Sequence, residues 1–74
     1  MEIKHLVHMA NQIADFFKSY PEAEAIDGVA THIRQFWDPR MRAQLAKHFE
    51  AGGDGLNAIS LAAAKRLLQK ASTP

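Results

Sequence analysis

The sequence predicts an all-α fold: one compact domain of four helices over residues 1–70, followed by a short loose tail at 71–74. Three observations predict it. Apolar residues recur at intervals of three and four, and no segment alternates with a period of two. Pro21, the pair Asp38-Pro39 and the glycine-rich run at 51–55 cut the chain into four helix-sized segments. The length, 74 residues, suits a single core, and a hydrophobic content of 47% separates the chain from disordered tails.

The first helix is expected from Ile3 to Ser19. Lys4, His8, Asn11, Asp15 and Lys18 form its polar face. Leu6, Ala10, Ile13 and Phe17 lie opposite, widened by Val7 and Ala14 and flanked by Met9, Phe16 and Tyr20. That apolar sector is broader than one neighbouring helix requires. Pro21 opens the second helix, with Glu22 and Glu24 at the positive end of its dipole. This helix should carry Ile26, Val29, Ile33 and the pair Phe36/Trp37 inward. Gly28 sits inside it at a cost of about 1 kcal/mol against alanine, which a close helix approach would explain, a plainly tolerated glycine being the other reading. Asp38 then caps a third helix that begins at Pro39, a proline-tolerant position. Met41, Leu45 and Phe49 face its core, and Gly52-Gly53 stops it. Asn57 caps a fourth helix, expected from Ala58 to Lys70, with Leu56 and Leu61 placed to meet across the cap as a hydrophobic staple.

Composition narrows function. With no cysteine there are no disulfides, no zinc–thiolate site and no haem-attachment motif. A domain this small must then rely on tight helix packing or on association. No apolar run reaches membrane-spanning length, and the N-terminal stretch lacks a signal-peptide cleavage pattern, so a cytoplasmic protein is expected. Nine basic and eight acidic side chains give a net charge of +1. Such balance disfavours nucleic acid, whose ligands usually show a basic excess.

Catalytic and metal-binding patterns are weak. His5 and His8 have chelating spacing on a helix, but no third ligand converges with them, and zinc needs three or four. Ser19, Ser60 and Ser72 belong to no nucleophile elbow. The run Ala51-Gly52-Gly53-Asp54-Gly55 follows a helix and lacks the lysine–serine ending of a phosphate loop. Glu22 and Glu24 serve the helix start. These readings assign the chain no catalytic residue, no cofactor-binding residue and no metal ligand.

One corner stands out. Ile33-Arg34-Gln35-Phe36-Trp37-Asp38-Pro39-Arg40-Met41-Arg42 holds the only tryptophan and three arginines within ten residues. Closing the core accounts for the aromatic pair, and solvation accounts for the arginines. Against this, tryptophan and arginine are the residues enriched at interface hot spots, and Asp38 can neutralise only one of three guanidiniums. Planar forks aimed outward suit carboxylates or phosphates of a partner. A partner-binding surface is therefore expected at Trp37, Arg40, Arg42 and Arg34, with Asn11 and Gln12 of the first helix beside it. The helix–bend–helix order also fits a freestanding DNA-binding or regulatory module, with less phosphate-binding support.

The strings LVHMANQIADFF, IDGVATHIRQFWDPRMRAQLAKHF and AGGDGLN closely resemble the delta subunit of NAD-dependent formate dehydrogenase, over about residues 4–68. The most specific elements are Met9-Ala10-Asn11-Gln12-Ile13 and the run from His32 to Arg42. The resemblance implies an accessory subunit of a cytoplasmic complex. The alpha subunit would hold a molybdenum cofactor (bis-molybdopterin guanine dinucleotide) and iron–sulfur clusters, the beta subunit FMN and NAD, and the gamma subunit a further iron–sulfur cluster. The delta subunit would bring no cofactor. It would bind the alpha subunit and support complex assembly, stability or molybdenum-cofactor maturation, as a permanent component or as a maturation factor. The wide apolar sector further predicts homodimer formation by the isolated chain.

Overall fold

In a computed structural model, which describes residues 2–72 and side chains as far as Leu68, helices fill the segments between the breaks. They are α1 (Ile3–Phe17), α2 (Glu22–Phe36), α3 (Pro39–Glu50) and α4 (Ala58–Ser72). No strand occurs among the described residues. The fold is all-α, as the periodicity predicts. Met1, Thr73 and Pro74 lie outside the described residues, so the expected tail is represented only by Ala71 and Ser72, which continue α4.

Each boundary has a local cause. α1 stops at Phe17, two residues before the expected Ser19. Lys18 N–H and Tyr20 N–H bond three residues back, to Asp15 and Phe17 carbonyls, and tighten the chain out of the helix. Pro21 disfavours helical geometry at the residue before it. Asp38 caps α3, its Oδ1 accepting from Met41 N–H at 2.9 Å with Pro39 in the first turn. α3 ends in a Schellman arrangement. Gly53 N–H donates to the His48 carbonyl at 2.9 Å and Gly52 N–H to the Phe49 carbonyl at 3.0 Å. Gly52 and Gly53 take positive φ of 120° and 67°, which side-chain-bearing residues rarely adopt. Asn57 caps α4 by accepting from Ser60 N–H at 2.9 Å.

α2 packs against α1 on one side and α4 on the other, while α3 closes the bundle against α4 and α1. The core cluster runs through Leu6, Ala10 and Ala14 of α1, Val29, Ala30 and Ile33 of α2, Leu45 of α3, Leu56, and Ala63 and Ala64 of α4. The Cα radius of gyration, 11.0 Å, matches the roughly 11 Å expected of a well-packed chain of this length.

Two details depart from the helical-wheel picture. Phe36 and Trp37 do not both point inward: Trp37 is 5% exposed and Phe36 is 71% exposed. Phe36 is the last residue of α2, whereas Trp37 is already extended (φ −90°, ψ 140°) on the way to Pro39. That change of backbone swings the indole into the core and leaves the phenyl ring outside. Ile26 is only partly covered and lies outside the core cluster, where Ala25 is buried instead.

Gly28 marks a close approach. A Cβ placed there would stand 2.6 Å from Phe17 Cε1 and 2.8 Å from Cδ1. Gly28→Ala therefore sets about 1 kcal/mol of helix propensity against roughly 1–3 kcal/mol of overpacking. The expected net result is destabilisation in the wild-type background and stabilisation in a Phe17→Leu background, read by urea unfolding of the four chains. The same sign in both backgrounds would show that the phenyl ring is not the obstacle.

Ser60 offers a second test. Its Oγ is buried with no hydrogen-bond partner among the described residues. Ser60→Ala removes that desolvated hydroxyl and adds helix propensity, so thermal denaturation is expected to show a gain of about 1 kcal/mol. An unchanged or lower midpoint would mean that the hydroxyl is satisfied in solution.

Candidate docking surface at the helical elbow

The turn between α2 and α3 is an elbow whose parts brace one another. Asp38 precedes Pro39 and is held extended (φ −75°, ψ 167°), so the last carbonyls of α2 receive no N–H from a continuing helix. Arg42 supplies the missing donors from the next helix. Its Nη1 donates to the Arg34 carbonyl at 2.8 Å and to the Trp37 carbonyl at 3.1 Å. A cation is favourable at that negative helix end. The fork expected to aim wholly outward thus spends one nitrogen inside the fold, and keeps its Nε–Nη2 edge free of any protein acceptor among the described residues.

Arg40 is placed differently. It is exposed in the first turn of α3, at the positive end of that dipole, with no acidic residue in the turn. A cation there works against the helix by about 0.3–1 kcal/mol. Local stability does not explain Arg40, which keeps it among the candidates for contact with another molecule.

Two grooves meet at the elbow. The first, about 430 Å³, lies between α1 and α2 and is lined by Met9, Gln12, Ile13, Phe16, Phe17, His32 and Trp37. Phe16, 72% exposed, stands edge-on to Phe17 with ring centroids 5.2 Å apart. The outward Phe36 stacks on His32 with centroids 4.7 Å apart, and Tyr20 continues the aromatic surface beside Phe17. The second groove, about 380 Å³, lies between α3 and α4 and is lined by Arg34, Arg42, Ala43, Leu45, Ala46, Ala64, Leu67 and Leu68. Trp37 belongs to the first groove and its carbonyl is bonded to Arg42 of the second, so the elbow is the ridge between them.

A profile of the family described as NADH-dependant formate dehydrogenase delta subunit, FdsD, matches residues 5–64. The chain belongs to this family. No curated protein and no solved structure shows a significant match. The matched span of the delta-subunit chain includes the elbow, both faces of the aromatic groove, and Arg34 and Arg42 of the second groove.

Within this delta-subunit chain the six residues singled out from the sequence do not form one patch. Gln12 and Trp37 share the aromatic groove, and Arg34 and Arg42 share the other. Arg40 stands apart at the elbow. Asn11 has both polar atoms engaged inside the fold: Nδ2 donates to the Gly55 carbonyl at 2.9 Å and Oδ1 accepts from Asn57 N–H at 3.0 Å. It ties α1 to the loop that launches α4. His48 holds the same loop from the other side, its Nε2 donating to the Asp54 carbonyl at 2.7 Å. Phe16, Phe36 and His32 were missed as a group. Their signal was present, since Phe16 flanks the apolar sector of α1 and His32 and Phe36 stand four apart on α2, where their rings meet. His5 and His8 are exposed, and no three potential metal ligands cluster among the described residues.

The two elbow arginines should separate by stability. Arg42→Ala is expected to cost about 1–2 kcal/mol, the loss of charged hydrogen bonds to two helix-terminal carbonyls. Arg40→Ala should leave stability unchanged or raise it by a few tenths. Chemical denaturation of the two variants checks this; equal effects would remove the assignment of Arg42 as the cap of α2.

Proposed function

We propose that this chain is a non-catalytic accessory subunit of a cytoplasmic, molybdenum-dependent formate dehydrogenase that reduces NAD, and that it docks on the catalytic alpha subunit. In this reading the molybdenum cofactor, the iron–sulfur clusters, FMN and NAD belong to the alpha, beta and gamma subunits. The chain supports assembly or stability of the complex and maturation of the molybdenum cofactor. Membership of the delta-subunit family supports the association. The single structural observation that carries the docking is the pair of outward phenyl rings, Phe16 and Phe36, beside a groove floored by Trp37. Large exposed aromatics grouped around a concave apolar surface are what hot-spot anchors look like before their partner covers them. Gln12 sits among them, Arg40 stands at the elbow, and Asn11 acts through the loop it holds. No helix among the described residues is long and apolar enough to cross a membrane.

The nucleic-acid alternative gains nothing from the geometry. In the first turn of α3, Met41 packs against the core cluster and Arg42 turns back to α2. Among the described residues of that turn this leaves Arg40 as the outward cation.

The test is retention of the tagged chain on the alpha subunit when all four subunits are co-expressed. The double variant Phe16→Asp, Phe36→Asp is expected to lose at least ten-fold in retention with its circular dichroism unchanged, because both rings are already exposed. Retention equal to wild type would remove the aromatic groove from the interface. In a strain lacking the chain, the purified complex should carry less molybdenum per alpha subunit; full metal content would sink the maturation role and leave the structural one.

A further inference from the structure

We propose that the groove between α3 and α4 receives an acidic–apolar segment of the partner protein, a carboxylate side chain bound by Arg34 and Arg42 next to a leucine-sized side chain lodged against Leu45 and Leu67. The inference rests on the docking reading above and names the chemistry of the surface that is docked.

The groove is walled by apolar side chains and has two guanidiniums at its edge. Among the described residues neither arginine forms an ion pair; the salt bridge seen there is Arg66 with Asp27 at 3.1 Å, on another part of the surface. Both arginines are half-buried, so their charges are less screened than those of free surface cations. Two like charges beside one low-dielectric groove repel in the free chain, and a bound anion relieves that repulsion.

Arg42 is already oriented for the task. Its Nη1 gives both hydrogens to the carbonyls of Arg34 and Trp37, which fixes the plane of the guanidinium. The Nε–Nη2 edge that remains is the side-on edge a carboxylate takes with two parallel hydrogen bonds. Little side-chain freedom is left to lose on binding. Arg34 is its complement: its carbonyl anchors Arg42 while its own guanidinium has no acceptor among the described residues. A merely covering role, with the stems lying on apolar surface and the heads in water, would ask for no anion at all.

The groove also continues the aromatic surface. Across the ridge made by Trp37 and Arg42, a single partner segment can press an apolar side chain into one groove and a carboxylate with its apolar neighbour into the other.

The test uses the co-expressed complex. Arg34→Glu reverses the charge without removing a hydrogen bond seen among the described residues, at the cost of a small drop in unfolding midpoint from placing an anion in the last turn of α2. It is expected to lower retention on the alpha subunit at least ten-fold while circular dichroism shows the chain folded. Arg34→Lys should retain binding and, on treatment with a zero-length carbodiimide, should cross-link position 34 to an aspartate or glutamate of another subunit flanked by an apolar residue. The cross-link decides the matter even if Arg34→Glu proves unstable. Wild-type retention by a folded Arg34→Glu, or an intact complex with no cross-link at position 34, overturns the acidic-segment assignment and leaves docking itself standing. Failure of the unaltered chain to co-purify overturns both.

Discussion

Helices approach closely only where side chains are small, and the interior of this bundle depends on that. Of the twelve hydrophobic residues buried among the described ones, six are alanine. Gly28 takes the same logic further and lets the Phe17 ring lie against the backbone of α2. Such a core is dense but shallow. Leu6, Val29, Ile33 and Leu45 fill it, Trp37 seals one end, and Phe17 and Phe49 pack partly buried against its edge. The rings at positions 16, 20 and 36 lie outside that core, on the surface. Of the five phenylalanine and tyrosine residues, only Phe17 and Phe49 pack against the core.

The elbow converts a chain reversal into a rigid ridge. Pro39 forbids helical geometry just before it, so the chain leaves α2 extended and the last carbonyls of that helix lose their donors. Asp38 turns back to cap α3, and Arg42 reaches back to satisfy α2. Asp38, within the bend, thus closes the start of α3, and Arg42, beyond it, closes the end of α2. The concentration of tryptophan, proline and arginine in ten residues answers a structural need first. What it leaves over is specific: an edge of Arg42 and the guanidinium of Arg34 with no acceptor among the described residues, and Arg40 set against its own helix dipole. Local rules are broken there, and such breaks tend to coincide with function.

The helices, their order and most of their ends were legible in the sequence because they depend on neighbours within four residues. The Asp38 and Asn57 caps and the Gly52-Gly53 stop all follow from local chemistry. What escaped was direction. A helical wheel treats Phe36 and Trp37 as adjacent positions of one helix and cannot register that the backbone changes between them. Arg42 looked outward because its acceptors belong to another helix, and Asn11 looked free because Gly55 and Asn57 are more than forty residues away along the chain. The sequence singles out the corner around Trp37, while the division of that corner into an aromatic and a cationic groove depends on contacts between segments distant in sequence.

That division has an energetic consequence. The two exposed phenyl rings would bring roughly 280 Å² of apolar surface into an interface, worth about 7 kcal/mol gross. Loss of translational and rotational freedom alone costs an estimated 4–15 kcal/mol. The aromatic face by itself therefore supports adhesion without selecting a partner, and it would serve a second copy of the chain as readily as another subunit. Selection has to come from groups that a wrong partner leaves unsatisfied. Two half-buried guanidiniums do this, since any surface without a matching carboxylate must desolvate them at a cost and receives nothing in exchange. Two copies of this chain meeting through that groove would bring four arginines together, so the cationic groove opposes self-association there and favours a partner of opposite charge.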